Sequence, residues 1–360
     1  GRPMRLVAYG EREPAARSAN FNSAIGGREP GCYLDRAARR RPVVLLVGPV
    51  HGQETEGLTG LGNLIAIMET GHDRRGRPQA ALRDLARQCR LLIIPDANPD
   101  GLARFEPRTL LGQTGDDLRL WGQGTWADGS LCSWPECKRL HPMAGPRVGR
   151  LGCYFNDDGV NPMHDEFFAP LGPEAPAILN LARAEGPEVT VSLHSHPGAP
   201  AVLRPAFVPL EVQAAVRDLG RAFYDLCAER GLPHGGLFEP QPEAGAVPSP
   251  FNLTSALYHV CGTVPFTFEC PHGLIDERAH HPAEDLAGEP AGQNVVELDR
   301  ELGGVRCVAL GEAPAGVGAE AGGRLEPDHL VLHPLHALDR GFEVLRADLD
   351  HGLEDRTQSG

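Results

Sequence analysis

The stretch VVLLVGPVHGQE, from Val43 to Glu54, decides the fold that this sequence predicts. Val43–Val47 is a short, continuous aliphatic run between Pro42 and Gly48, which is typical of a strand covered on both faces. The segment 55–68 follows at once and repeats apolar residues at helical spacing. A buried strand that leads into an amphipathic helix is the basic unit of an α/β protein.

The same alternation continues along the chain. Apolar runs predict four further strands, at 91–94, 189–193, 202–208 and 264–268. Pro205 favours an edge position for its strand, because proline cannot donate a hydrogen bond to a neighbouring strand. Helical spacing predicts further helices at 176–184 and 211–230. The sequence therefore predicts an α/β fold with a parallel or mixed sheet, in which functional groups collect at the carboxyl ends of the strands.

Two stretches interrupt this pattern within the single domain that we predict over 1–360. Residues 105–152 are rich in Gly, Trp, Cys and Pro and form a long insert, which in a compact domain is usually functional or has its own small structure. Residues 311–323 are rich in Gly, Ala and Glu and are predicted to be flexible.

Composition and charge argue against several classes of protein. The formal net charge is -14 and no run of Lys or Arg stands out, so nucleic-acid binding is not expected. No stretch approaches the apolar length of a membrane span. The nine cysteines are odd in number and scattered, which predicts reduced thiols rather than a disulfide scaffold. We therefore expect a cytoplasmic protein, whose oligomeric state the sequence leaves open.

Histidine and carboxylate side chains follow the predicted strand ends. His51 and Glu54 lie three residues apart on the turn after the first strand, so both can converge on one cation, and both residue types are zinc ligands. A third ligand must come from elsewhere, and His194 or His196 could supply it. Glu269 stands in an apolar strand, where a carboxylate is rare unless paired or functional, and is therefore the candidate general base.

Four segments, in this order, resemble motifs of the zinc carboxypeptidase family: HGQE at 51–54, NPDG at 98–101, SLHSH at 192–196 and FTFE at 266–269. The resemblance implies an α/β fold with a mixed, mostly parallel twisted sheet of about eight strands, flanked by helices. It implies one Zn²⁺ per chain, bound by His51, Glu54 and His194. It also implies that Glu269 takes a proton from a zinc-activated water. His196 is then a candidate substrate contact.

The resemblance also implies an arginine, downstream of NPDG, that stabilises the oxyanion of the reaction. Arg108 has a suitable spacing, and Arg119 is the alternative. Typical members bind the terminal carboxylate of the substrate with an Asn-Arg pair, but in this sequence Asn156 is followed by Asp157. Two carboxylates repel each other, so we expect altered specificity at these two candidate substrate-binding positions.

Three explanations of the aspartate at position 157 stay open. In the first, another arginine supplies the charge, with Arg104, Arg119 and Arg204 as candidates. In the second, the substrate carries an amine or amide that Asp157 or Asp158 binds. In the third, the two aspartates only cap a turn.

Two further features concern the insert and the segment before Glu269. Four residues in the stretch 121–153 either form a structural zinc cluster or lie buried and reduced: Cys132, Cys137, His141 and Cys153. The segment 243–250 lacks the active-site tyrosine that the family carries there, so handling of the leaving group is expected to change.

These features predict a zinc metallocarboxypeptidase-like hydrolase of amide or peptide bonds. Its substrate is expected to be a peptide or peptide-like small molecule, with no nucleic-acid or membrane partner. One alternative is a deacylase or amidase of a non-peptide small molecule, which the aspartate at 157 favours. Another is a catalytically silent binding protein on the same scaffold.

Overall fold

The computed structural model describes residues 1–239 and 250–275, together with the backbone of a two-residue strand at 308–309. All of these residues belong to one unit, Gly1–Gly311. The single domain predicted over 1–360 extends beyond that unit and stays a prediction. The flexible segment predicted at 311–323 lies outside the described residues.

Nine strands occur in the described residues: β1 Arg5–Tyr9, β2 Val43–Val47, β3 Arg90–Ile94, β4 Gly124–Trp126, β5 Val148–Leu151, β6 Val189–His196, β7 Ala201–Leu203, β8 Val264–Pro271 and β9 Val308–Ala309. Seven of them form one sheet in the order β7-β8-β6-β2-β3-β1-β9. The central strands β8, β6, β2 and β3 run parallel, whereas β7, β1 and β9 pair antiparallel at the sides. The predicted mixed α/β sheet is confirmed.

The α-helices of the described residues are α1 Phe21–Gly26, α2 Thr55–Thr70, α3 Ala80–Arg87, α4 Pro99–Arg104, α5 Gly115–Leu118, α6 Trp134–Cys137, α7 Glu174–Glu185, α8 Leu210–Glu229 and α9 Leu253–Cys261. Side chains of α2 pack with Val7 and Ile93 in one apolar cluster. Side chains of α7 and α9 pack with Leu45 and Leu92 in another. Since alternate strand residues enter different clusters, helices cover both faces of the sheet.

Most of the predicted elements are present at nearly the predicted residues. The first strand is confirmed at Val43–Val47, and the helix after it extends to Thr70. The segment predicted as a strand at 202–208 is corrected, because β7 ends at Leu203, before Pro205. Its edge position is confirmed. None of the described helices combines the length and the apolar character needed to cross a membrane.

The insert at 105–152 has secondary structure of its own. It contains α5, a π-helical turn at Arg119–Gln123, α6, and the antiparallel pair β4 and β5. Cys132 and Cys137 are fully buried in a small core with Met143 and Phe155. The insert therefore packs on its own apolar side chains, and the next section describes what it contributes to the site.

Candidate metal centre and its cavity

Three buried side chains meet at the carboxyl ends of the parallel strands. His51 and Glu54 lie on the loop between β2 and α2, and His194 lies near the end of β6. The Nδ1 atom of His51 is 2.8 Å from Oε1 of Glu54, and the Nδ1 atom of His194 is 3.1 Å from Oε2. Their candidate ligand atoms all lie within 4.8 Å of one another. The structure therefore brings together the three residues that the sequence predicts as metal ligands.

The loop that carries His51 and Glu54 is held by backbone contacts on both sides. The amide of Gly52 donates to the carbonyl of Cys153 at 2.8 Å. The buried side chain of Asn98 donates to the carbonyl of Val50 at 2.9 Å and accepts from the amide of Gly101 at 2.9 Å. The NPDG segment thus acts as a brace between the ligand loop and the start of α4.

The electrostatics of the cluster favour a charged carboxylate. Burial alone would raise the pKa of Glu54, but the two histidines beside it lower that pKa to about 2. Burial lowers the pKa of His51. In His194, the attraction of Glu54 outweighs burial and raises the pKa. A buried carboxylate held in its ionised form between two imidazoles is a strong site for a cation.

These donors fit a zinc ion. Two imidazole nitrogens and a carboxylate oxygen are typical zinc ligands, and three protein ligands leave a fourth position for water or substrate. The hydroxyl of Ser192 lies 3.2 Å from Nε2 of His194, which orients that ring from its far side. Tyr154 stacks on the ring of His51, with ring centroids 3.7 Å apart and planes at 11°. Both imidazoles are therefore positioned before any ion is bound.

Glu269 lies beside the cluster on the neighbouring strand. In the parallel register of β6 and β8, Glu269 pairs with His194. Burial raises the pKa of Glu269, and the charge of Glu54 adds to that increase. A carboxylate with a raised pKa can accept a proton and release it again near neutral pH, as a general base must.

A cavity of about 690 Å³ opens above these residues. Its wall includes the cluster, Glu269 and residues from the insert and from the loops around β7. Those additional residues include Arg119, Trp134, Lys138, His196 and Arg204. The volume is in the range of small-molecule and peptide sites.

A model of the zinc carboxypeptidase family matches residues 1–196, which is more than half of the chain and includes His51, Glu54 and His194. The chain belongs to the zinc carboxypeptidase family. Glu269 lies beyond the matched residues, so its assignment depends on its position beside His194. No curated protein matches the sequence.

Solved structures similar to this chain include several carboxypeptidases. A metallo-carboxypeptidase from Burkholderia cenocepacia is 16% identical with a TM-score of 0.40, over 76% of this chain and 53% of that one. Carboxypeptidase A from Helicoverpa armigera is 14% identical with a TM-score of 0.36, over 73% and 61%. A metallo-carboxypeptidase from Pseudomonas aeruginosa, in complex with (2-guanidinoethylmercapto)succinic acid, is 15% identical with a TM-score of 0.33, over 81% and 64%. This chain spans less than two thirds of the length of each.

The two arginines predicted for oxyanion stabilisation lie in different places in this member of the zinc carboxypeptidase family. Arg108 is not part of the cavity wall, and its guanidinium donates to the carbonyl of Leu102 at 3.3 Å. Arg119 lines the cavity, but it donates to the carbonyls of Leu131 and Cys132 at 3.1 and 3.3 Å. Of these two arginines, Arg119 is the one at the cavity, and part of its hydrogen-bonding capacity is already used by the two carbonyls.

Asn156 and Asp157 lie outside the wall of this cavity. The side chain of Asn156 accepts from the amides of Asp158 and Val160, at 3.1 and 2.9 Å, and so holds a turn. The carboxylate of Asp157 forms ion pairs with Arg104 and Arg2. Of the three explanations for the aspartate, this arrangement favours a structural role for the turn.

The cysteines of the insert do not converge on a metal. Among the described residues, the group positioned to hold an ion is His51, Glu54 and His194. Cys132 and Cys137 lie in the small apolar core of the insert, and Cys153 lies in another with Phe105. The Nε2 atom of His141 accepts from the amide of Asn161 at 2.9 Å. The arrangement matches the alternative of reduced, buried thiols.

Sequence analysis missed Lys138, which follows α6 and lines the cavity. Its amine lies 3.6 Å from the ring centroid of Trp134 and 3.1 Å from Nε2 of His164. Burial lowers the pKa of Lys138 to about 8. One signal could have found this residue, because Lys138 is the only lysine in a sequence where lysine and arginine together number 34.

Proposed function

We propose that this protein is a zinc-dependent hydrolase of amide or peptide bonds, in which Glu269 is the general base. The observation that carries the proposal is the adjacency of His194 and Glu269 on parallel strands, above three buried donors that fit zinc. The family match is consistent with this chemistry. The cavity is large enough for a short peptide or a similar small molecule.

The roles of the side chains follow from their surroundings. A zinc ion bound by His51, Glu54 and His194 would supply Lewis acidity toward an amide carbonyl and toward water. The carboxylate of Glu269 accepts a proton from water as the water attacks the carbonyl carbon. It then returns that proton to the departing amine. Burial favours this cycle, because it raises the pKa of Glu269 above its ordinary value.

A Glu269→Gln variant tests this proposal. The amide keeps the size of the side chain but cannot accept the proton, so we expect zinc binding to be retained and turnover to fall by about 10²- to 10⁴-fold. Zinc is measured by metal analysis, and turnover with a panel of N-acyl dipeptides. Glu211→Gln, at an exposed position in α8, controls for the substitution itself. Undiminished turnover in Glu269→Gln, or wild-type protein that binds no zinc, would contradict the proposal.

A second candidate is a deacylase or amidase of a non-peptide small molecule. It is favoured by the position of Asn156 and Asp157, which hold a turn and do not line the cavity. Assays that compare N-acyl amines with N-acyl dipeptides separate the two candidates. Faster turnover of N-acyl amines supports the second candidate, and faster turnover of dipeptides excludes it.

A further inference from the structure

Lys138 is distinctive both in the sequence and in the cavity. Lys138 is the only lysine among the 34 lysine and arginine residues of the sequence. It lines the same cavity as the three candidate metal ligands. An ammonium group is a compact charge on a flexible stem, whereas a guanidinium group is broad and planar. Random placement of the only lysine would favour the exposed surface, where lysine is usually found.

The partners of Lys138 leave most of its hydrogen-bonding capacity unused. Its amine lies over the face of Trp134, which supplies a cation–π contact and accepts no conventional hydrogen bond. Nε2 of His164 accepts one of its three N–H groups. Burial lowers the pKa of His164 to about 3, so that imidazole is neutral and able to accept. Within 1–239 and 250–275, no carboxylate forms an ion pair with Lys138.

The arginines Arg104, Arg108 and Arg119 contact other parts of the chain. Arg104 binds Asp157, Arg108 donates to a backbone carbonyl, and Arg119 donates to two. These guanidinium groups hold loops together. Lys138 lines the cavity, whose wall also contains the carboxylates of Glu54 and Glu269. Together with a bound zinc ion and the cavity arginines, Lys138 would offset the repulsion between those carboxylates and an anionic ligand.

We propose that Lys138 binds a carboxylate of the substrate and thereby selects substrates that carry one close to the scissile amide. This inference rests on the proposed amide hydrolase activity. The ammonium group over Trp134 forms a charge-assisted hydrogen bond with the carboxylate, and Trp134 packs against the neighbouring apolar part of the substrate. The carboxylate is either the terminal group of a peptide or the side chain of an acidic residue.

Binding without turnover tests the inference in zinc-loaded Glu269→Gln protein. Calorimetric titration compares N-acetyl dipeptides that end in a free carboxylate with the same dipeptides as terminal amides. A second pair places Asp or Asn in the last position of a terminal amide, which distinguishes a side-chain carboxylate from a terminal one. We expect one of the two acids to bind about 10- to 100-fold more tightly than its neutral partner, as one charged hydrogen bond allows.

The Lys138→Met substitution, made in the same background, should remove this preference and leave the affinity for the neutral peptides unchanged. Lys138→Arg should retain part of it. Arg204→Gln tests an arginine that also lines the cavity. If Arg204→Gln loses the preference for the acid and Lys138→Met keeps it, the inference is overturned. Equal affinity for acids and neutral peptides in the parent protein, or an equal loss for both in Lys138→Met, would also overturn it.

Chemical modification gives a second measurement that needs no substitution. An N-hydroxysuccinimide ester of acetic acid acylates amines, and peptide mass spectrometry follows the product at Lys138, the only lysine of this sequence. The preferred acid should protect Lys138 from acylation, and its neutral partner should not. Equal protection by both refutes the inference. If the acid protects Lys138 but the wild-type protein hydrolyses none of the peptides, Lys138 still binds a carboxylate. The proposed hydrolase activity would then be refuted.

Discussion

Substitution of Gly52 by alanine should damage the fold and the metal site together. A Cβ atom at this position would lie 2.1 Å from both the carbonyl carbon of Gly101 and the amide nitrogen of Leu102. Ordinary contacts of this kind begin near 3.4 Å, so the two backbones must separate by roughly 1 Å. Neither neighbour is a flexible side chain that could rotate away.

The expected magnitude follows from this overlap. Overpacking of a close contact lowers the free energy of unfolding by about 1–3 kcal/mol, and a clash between two backbones belongs at the upper end. Gly52 stands between His51 and Glu54, so the displacement also moves two ligands. We expect zinc affinity to fall by about 10- to 100-fold, which is the usual cost of lost support around metal ligands.

Two measurements and two matched glycines test this reasoning. Urea unfolding of the metal-free protein gives the free energy of unfolding, and competition with a chromogenic chelator gives the zinc affinity. Gly60 is an exposed residue of α2, and a Cβ atom there meets nothing within 4 Å. Gly60→Ala should therefore stabilise the protein by about 0.5–1 kcal/mol and leave zinc affinity unchanged. At Gly57, a Cβ atom would lie 2.8 Å from that of Leu193, so an intermediate effect is expected.

The reasoning is refuted if Gly52→Ala unfolds at the wild-type urea concentration and binds zinc with wild-type affinity. It is also refuted if Gly60→Ala is as damaging as Gly52→Ala, because the effect would then not come from the close approach of two backbones.

Two further predictions concern the brace and the lysine. Asn98→Ala removes a buried side chain that bridges the ligand loop and α4, so the free energy of unfolding should fall by about 1–3 kcal/mol in urea unfolding. Asn22→Ala, at an exposed position of α1, should change it by less than about 0.5 kcal/mol, and equal losses would contradict the prediction. Acylation of Lys138 requires the neutral amine, so with a pKa of about 8 its rate should rise with pH and level off above that value in metal-free protein. A rate that keeps rising past pH 10, followed by mass spectrometry, would indicate an ordinary lysine.

The sheet was predictable because its signals are local. The aliphatic run between Pro42 and Gly48 predicts β2 to the residue, since its short length and its flanking proline and glycine favour a strand. The strand β1 and the helix α9 were not predicted. In β1 the alternation is short and only half buried, and in α9 the apolar residues do not form a long stripe. The position of β1 in the sheet and the packing of α9 against the sheet both depend on residues that are distant in sequence.

In the candidate site, too, some positions were predictable from local sequence and others depend on distant partners. The metal ligands and the candidate base lie close together because each follows or ends a central strand: His51, Glu54, His194 and Glu269. The parallel register of β6 and β8 places His194 next to Glu269. The destinations of Arg108 and Asp157 depend instead on which carbonyl or charged group lies nearby after folding. Loop side chains of this kind have several possible partners, and the sequence does not rank them.

The residues of the metal site and the insert residues that line the cavity lie on different parts of the fold. The metal ligands and Glu269 lie at or beside the carboxyl ends of β2, β6 and β8, so their positions are fixed by the central sheet. Trp134 and Lys138 lie on the insert, whose small core contains no residue of the seven-stranded sheet. Trp134 is 52% exposed, so its ring is available to a ligand at the mouth of the cavity. Substrate choice should therefore respond to substitutions in the insert that leave zinc affinity and the proton transfer of Glu269 intact.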